Sequence, residues 1–439
     1  MKKRLWILFP FVFLLTACGK GTDTNTTEKE TLILAVFEDN SEVSKQVAIF
    51  NEKSDEYRIE IQKYERSSLS ETDGIAQIQR EIMSGEGPDM INYGSEYSTS
   101  DIVGEYTENL TPYLQQKIEQ EGDMYFTNII NAFCYRESLY AMPIAFTMQT
   151  FAGDRLTLGE REHWDITEMM ACYEEQSEEM MLYPGETRKD VFGTILSGSI
   201  ESYIDWSGQK CFFDGEEFKD IMSFSKEFPN ELRITEEYSA KQTFSEGGAL
   251  LLPLKLTNIY DIAKAEFIFG EKEIAYIGFP VERDSGTVIN PSDMVFGISI
   301  NSKDKNTCWE FICQFLEVGY QEEIKNGFPI SRNALENKLL ANREVEYVLD
   351  QDGKQCPVAK EEILFEGEDS IELYNVTEQQ ANTLLHLIDS AQICNTVDYA
   401  LYNILLEEID SYFSDDKTVE ETADIIQKRV SMYVSERVQ

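Results

Sequence analysis

Thr31 to Phe37 reads TLILAVF, an almost unbroken apolar run, and it opens the pattern that decides the fold. Such a run suits a strand covered on both faces, as parallel strands are. Glu42 to Asn51 then places Val43, Val47 and Phe50 at i, i+4 and i+7, the stripe of an amphipathic helix. Tyr57-Arg58-Ile59-Glu60-Ile61 alternates as a strand does. Ile75, Ile78 and Ile82 mark a second helix, Ser84-Gly85-Glu86-Gly87-Pro88 breaks it, and Asp89 to Tyr93 reads as another short strand. Strand, helix, strand, helix, strand predicts an α/β fold with doubly wound parallel sheets.

Further along, Gly297-Ile298-Ser299-Ile300 reads as a strand ending at Asn301-Ser302, followed by a helix carrying Trp309, Ile312, Cys313 and Leu316. The last hundred or so residues read as mostly helical. Thr377-Glu378-Gln379-Gln380 and Thr418-Val419-Glu420-Glu421 both fit the capping box that starts a helix. Asp350-Gln351-Asp352-Gly353 imitates the start of a calcium loop, with Glu361 at its twelfth position. Lys354 and Gln355 stand where a ligand and the glycine belong, so the segment reads as a turn.

At the other end, Lys2, Lys3 and Arg4 precede the apolar run Leu5 to Leu15, and Leu15-Thr16-Ala17-Cys18 follows. This is the order of an export signal, 1–17. The run supplies only about half of the roughly 20 residues that span a bilayer, so cleavage is expected rather than retention. Cys18 is the expected lipidation site, because Leu-Thr-Ala-Cys resembles the bacterial lipobox. Residues 18–30, with no apolar residue after Cys18, form a flexible tether. The ~410 residues that remain exceed what one core usually supports and predict two domains. Asp and Glu number 81 against 38 Lys and Arg, a net charge of -43, which excludes nucleic acid as a partner. Seven cysteines besides Cys18 cannot close into a disulfide framework and form no CxxC pair; most read as small buried hydrophobes.

Several short segments, in order, resemble the carbohydrate-type solute-binding proteins of ABC importers, the group that includes maltose-binding protein. They are Ser84 to Ile91, Asn109-Leu110-Thr111-Pro112-Tyr113-Leu114, Met142-Pro143-Ile144, Phe244 to Leu250, Ile277-Gly278-Phe279-Pro280 and Gly327-Phe328-Pro329-Ile330-Ser331. The resemblance implies two α/β lobes joined by a hinge and closing over a ligand, in a periplasmic-binding-protein-like fold with a helical C-terminal part. Lobe one would take residues 31–145 plus 290–325, and lobe two 146–289 plus 326–439. It further implies a lipid-anchored extracellular monomer on a Gram-positive cell membrane that captures a sugar or oligosaccharide and delivers it to ABC permease subunits, with no cofactor and no metal. A ligand-binding subunit for a membrane sensor and a cell-surface glycan hydrolase are the alternatives.

Sugar capture needs polar groups for hydroxyls and flat apolar surface for ring faces. Glu38 and Asp39 follow the first strand; Asn92, Tyr93 and Glu96 follow the Asp89 strand. Phe146 and Thr147 come just after Met142-Pro143-Ile144, where the family's chain crosses between lobes, although Phe151-Ala152-Gly153-Asp154 replaces the usual Tyr-Asn downstream. Lys255 stands where many relatives carry Pro-Trp, and suits an anionic or hydroxyl-rich ligand. Trp206 is a candidate stacking platform. His163 and His386 lie in unrelated segments without HExxH or GxSxG, so an enzyme is not expected.

Overall fold

The computed structural model describes residues 29–65, 74–97, 106–122, 124–177, 179–205, 208–231, 239–281, 285–363, 370–395 and 399–437. The export signal, Cys18, nearly all of the tether and Trp206 lie outside them.

In chain order, β1 (Glu30–Val36), β2 (Tyr57–Lys63), β3 (Met90–Asn92) and β4 (Ala141–Pro143) precede the long strand β5 (Ala145–Asp154). A small hairpin, β6 (Ile204–Asp205) with β7 (Lys210–Cys211), is followed by β8 (Leu252–Leu256), β9 (Ile274–Tyr276), β10 (Val288–Pro291) and β11 (Val295–Ile298). Then come β12 (Phe328–Pro329), the hairpins β13 (Tyr347–Leu349) with β14 (Gln355–Pro357) and β15 (Glu361–Ile363) with β16 (Ile371–Leu373), and β17 (Ile393–Cys394).

The first sheet has the order β2-β1-β3-β11-β4. β1 is parallel to β2 and β3, as the opening sequence predicts, and Leu32, Leu34 and Ala35 are fully buried. The helix Ser41–Lys53 buries Val43, Val47 and Phe50, and Asn40 Oδ1 starts it by accepting from the Glu42 and Val43 amides. Helix Gly74–Ser84 buries Ile75, Ile78 and Ile82. On helix Lys305–Leu316, Phe311 meets Phe50 and Phe296 edge to face. Asp89, nearly buried, binds the turn after β11 to β1: its carboxylate accepts from the Ile33 amide at 2.8 Å and the Lys303 amide at 2.8 Å.

The second sheet differs from the parallel expectation. β12, β8, β9 and β10 all pair antiparallel with β5, and the described parallel pairing here is β10 with β17. β5 is long enough to serve four partners, so no crossover helix is needed between it and each neighbour. The hairpins between Tyr347 and Leu373 also interrupt the region read as helical. Their three-residue strands are too short to produce a period, and Asp350 forms the expected turn by accepting from the Asp352 and Lys354 amides. Both expected capping boxes form, at Thr377 with Gln380 and at Thr418 with Glu421. Helices Glu378–Ser390, Tyr399–Phe413 and Val419–Arg437 complete the chain.

The chain passes between the sheets at Ile144, between Pro291 and Val295, and between helix Val318–Glu322 and β12. One buried polar cluster joins all three passages. The Ile144 amide donates to Met294 O at 3.1 Å, and its carbonyl accepts from Gln321 Nε2 at 2.9 Å and the Ile330 amide at 3.4 Å. Gln321, itself fully buried, also donates to Phe315 O and accepts from the Ser331 amide. Every donor and acceptor of that side-chain amide is thus used.

Glu186, just before helix Arg188–Ser199, accepts from the Tyr183 amide at 2.7 Å. Burial nevertheless pushes its carboxyl up to about 7 from an ordinary 4.5, against the pull of two backbone hydrogen bonds. A carboxyl with a raised folded pKa holds its proton better when folded, so its contribution is full below about 4.5 and is lost as pH rises towards 7. Urea unfolding should show wild type losing stability relative to Glu186→Gln across that window, by on the order of 1–3 kcal/mol.

Candidate ligand-binding cleft

β5 decides the site by alternation, since successive strand residues face opposite sides of a sheet. Phe146, Met148 and Thr150 are fully buried on one side; Thr147 and Gln149 face a cavity of about 600 Å³ on the other. Register extends that polar face sideways. Asn290 on β10 pairs with Thr147, and Lys255 on β8 pairs with Gln149. Directly paired residues share a side of the sheet, roughly 5 Å apart. Thr257 follows two residues after Lys255 on the same cavity, and Asn395, just past β17, donates to Asn290 Oδ1 at 3.1 Å. Asn290 Nδ2 is buried with no hydrogen-bond partner, a donor waiting for an acceptor.

The opposite wall comes from Ser95 and Tyr97, which follow β3 of the first sheet, and the floor from the passages between the sheets, Pro291 to Asp293 and Asn326-Gly327. Gly327 has φ +93°, and a Cβ there would meet Phe146 O at 2.7 Å, so this floor accepts only glycine without shifting. Tyr97 is nearly buried and donates to Phe133 O at 2.8 Å; burial drives its hydroxyl well above the ordinary range. The cavity therefore offers hydroxyl, amide, ammonium and carboxylate groups, and one aromatic residue, Tyr97.

Three further cavities share lining residues with it, the largest of about 840 Å³, which meets it at Ser292, Asp293 and Asn326 and reaches Asp39, Lys45 and Lys325. One of about 510 Å³ lies within the second lobe, shares Gln149 and Lys255, and reaches Thr194, Phe279 and Tyr402. A smaller one of about 150 Å³ is lined by Glu38, Asp39, Asn92, Tyr93 and Asp293.

The structure brings Thr147 and Lys255 together at the main cavity and puts Glu38 and Asp39 at the smaller one. Asp39 is exposed and forms an ion pair with Lys63 at 2.7 Å. Glu96 lies in the short 3-10 turn Gly94–Glu96, beside Ser95. Phe146 is corrected: alternation turns its ring away from the cleft, into contact with Phe126 and Phe328. Asn92 is also mainly structural in its contacts. Its Oδ1 accepts from the Val295 and Gly94 amides and its Nδ2 donates to Asp293 O, so it ties the end of β3 to a passage between the sheets. Tyr93 is 4% exposed, packed edge-on to Tyr97 and against Gly297, where a Cβ would come within 2.9 Å of its ring. Trp206 is outside the described residues. Sequence reasoning missed Ser95, Gln149, Asn290, Asp293, Asn326 and Asn395; strand alternation from Thr147 would have found Gln149, but nothing local marks Asn395.

A family model described as bacterial extracellular solute-binding protein matches residues 45–317, well over half the chain. A comparison with curated proteins finds no match. Among solved structures, the chain resembles the sugar-binding protein MalE of Xanthomonas citri at 13% identity and TM-score 0.56, over 93% of this chain and 98% of that one. It also resembles a periplasmic oligogalacturonide-binding protein of Yersinia enterocolitica, at 15% identity and TM-score 0.54, over 93% and 100%. An ABC substrate-binding protein of Listeria monocytogenes in complex with cycloalternan aligns at 12% identity and TM-score 0.51, over 93% and 100%. At such identities the likeness is one of fold: two lobes of the periplasmic-binding-protein type.

Tyr93→Ala should cost about 3–5 kcal/mol in denaturant unfolding of the ligand-free protein, the range for truncating a buried aromatic ring. A loss below about 1 kcal/mol would mean that the ring stands free in the cleft.

Proposed function

The chain belongs to the bacterial extracellular solute-binding protein family, and from that premise we propose that it captures a sugar or oligosaccharide between its lobes for delivery to ABC permease subunits. The observation that carries this reading is the polar face of the second sheet, Thr147, Gln149, Lys255 and Asn290, turned into a cavity of about 600 Å³ whose floor is the passages between the sheets. Hydroxyls and amides at fixed register suit a ligand that is mostly hydroxyl groups, and a floor made of connecting segments lets the walls approach by a hinge motion. The solved proteins of like fold from Xanthomonas citri, Yersinia enterocolitica and Listeria monocytogenes are described by sugar or oligosaccharide ligands, which supports the same class here. The adjoining cavity of about 510 Å³ favours a ligand longer than one ring.

We take lobe one as residues 31–145 plus 292–325 and lobe two as 146–291 plus 326–439, with Asn290 and Pro291 moved from the expected first lobe to the second because β10 pairs with β5. Asp39, Thr147 and Lys255 are the binding residues carried forward from the sequence, joined by Gln149 and Asn290. The protein acts as a monomer, held on the outer face of the cell membrane by lipid on Cys18; among the described residues no helix is long and apolar enough to cross a membrane. Capture is favoured over hydrolysis because the matching family is one of solute-binding proteins, and the solved proteins of like fold named above are binding proteins.

A thermal-shift screen over neutral and acidic mono- and oligosaccharides tests the reading. A true ligand at 100 times its Kd should add about 2.7 kcal/mol, and X-ray scattering of the saturated protein should give a smaller radius of gyration. Silence across the whole panel overturns the carbohydrate assignment. Separately, Cys18→Ala should remove acylation and release the protein from the membrane fraction; retention there without lipid would refute the anchor.

A further inference from the structure

Lys255 is an exposed cation on the cleft face of β8, and among the described residues it has neither an ion-pair nor a hydrogen-bond partner. The chain carries 81 acidic and 38 basic residues. Three other lysines of the same lobe are ion-paired: Lys189 with Asp410 at 2.7 Å, Lys226 with Asp415 at 2.6 Å and Lys272 with Asp154 at 3.2 Å. Beside Lys255 in register stand Gln149, then Thr147 and Asn290, whose buried Nδ2 has no acceptor. An unpaired ammonium, an orphaned amide donor and a hydroxyl thus share one wall. The carboxylates Glu38 and Asp39 stand at the smaller cavity, and Asp293 lines both that cavity and the floor of the main one.

Resting on the carbohydrate reading above, we infer that the ligand carries an anionic substituent, and that Lys255 receives it on the second-lobe wall with Gln149 and Asn290 Nδ2 as flanking donors. A charged acceptor meeting an ammonium and neutral amide donors makes charge-assisted hydrogen bonds, about twice as strong as neutral ones. The strongly acidic chain repels anions from a distance, so a local cation is what permits such a ligand to settle and fixes which way round it lies. Lys255 lines both the cavity of about 600 Å³ and that of about 510 Å³, which puts the charged group between two ring sites rather than at one end.

The test is calorimetric titration of the full chain with matched sugars: a neutral oligosaccharide, its uronate counterpart and its 6-sulfate counterpart, at low and moderate salt. The uronate or the sulfate should bind at least tenfold more tightly than the neutral sugar, and the larger gain names the substituent. Lys255→Gln should remove that advantage while leaving the melting temperature of the free protein unchanged, whereas Lys255→Arg should keep most of it. Salt should weaken the anionic sugar and leave the neutral one alone. Tightest binding by the neutral sugar overturns the inference but leaves sugar capture intact. So does an equal loss for neutral and anionic sugars in Lys255→Gln, the result expected if Lys255 pairs with Asp293 when the lobes close. Binding by no member of the series overturns the inference and the carbohydrate reading together.

Discussion

The alternation of β5 constrains everything that follows from it. A strand can offer each residue to one side of its sheet only, and β5 gives Phe146 and Met148 to the core and Thr147 and Gln149 to the cleft. Because β8 and β10 pair with it in fixed register, the same division propagates sideways: Leu256 and Ile289 are buried, Lys255 and Asn290 face the cavity. Slipping either pairing by one residue would bury Lys255 or Asn290 and expose a leucine or isoleucine. The hydrophobic core on one face therefore sets the positions of the polar groups on the other.

The passages between the sheets add a second constraint. Ile144, Gln321 and Ser331 exchange hydrogen bonds in a fully buried setting, and Asn92 clamps the end of β3 to Asp293 and Val295. Such groups are costly to leave unpaired, so the three connecting segments hold together as one unit. Rotation of the lobes about that unit would change the distance between Ser95 and Lys255 while leaving the floor at Pro291 and Gly327 in place. This is the division of labour expected of a hinge.

Charged groups of both signs line the cleft: Glu38 and Asp39 stand at its first-lobe end, Asp293 on its floor and Lys255 on the second-lobe wall. In a chain with 81 acidic and 38 basic residues, a lysine at contact distance would weigh more on how a ligand settles than the net charge does, because distant acidic groups are screened by salt more completely than a contact is.

Much of the first lobe, and the starts of two C-terminal helices, were legible in the sequence because their cues are local. The run from Leu32 to Val36, the stripe Val43, Val47 and Phe50, and the capping boxes at Thr377 and Thr418 each depend on residues within one or two turns of one another, and each forms as read. The acid surplus was equally plain. The cleft was not. Phe146 and Thr147 are neighbours that the sequence cannot assign to different sides until the partners of β5 are known. Asn290 and Asn395 meet across more than a hundred residues through the β10 to β17 pairing. The sequence by itself determined the strand and helix pattern and the polar character of the segments that carry the site. Only the tertiary structure decided which of those polar residues share a wall, because register between distant strands is set by how their opposite faces pack.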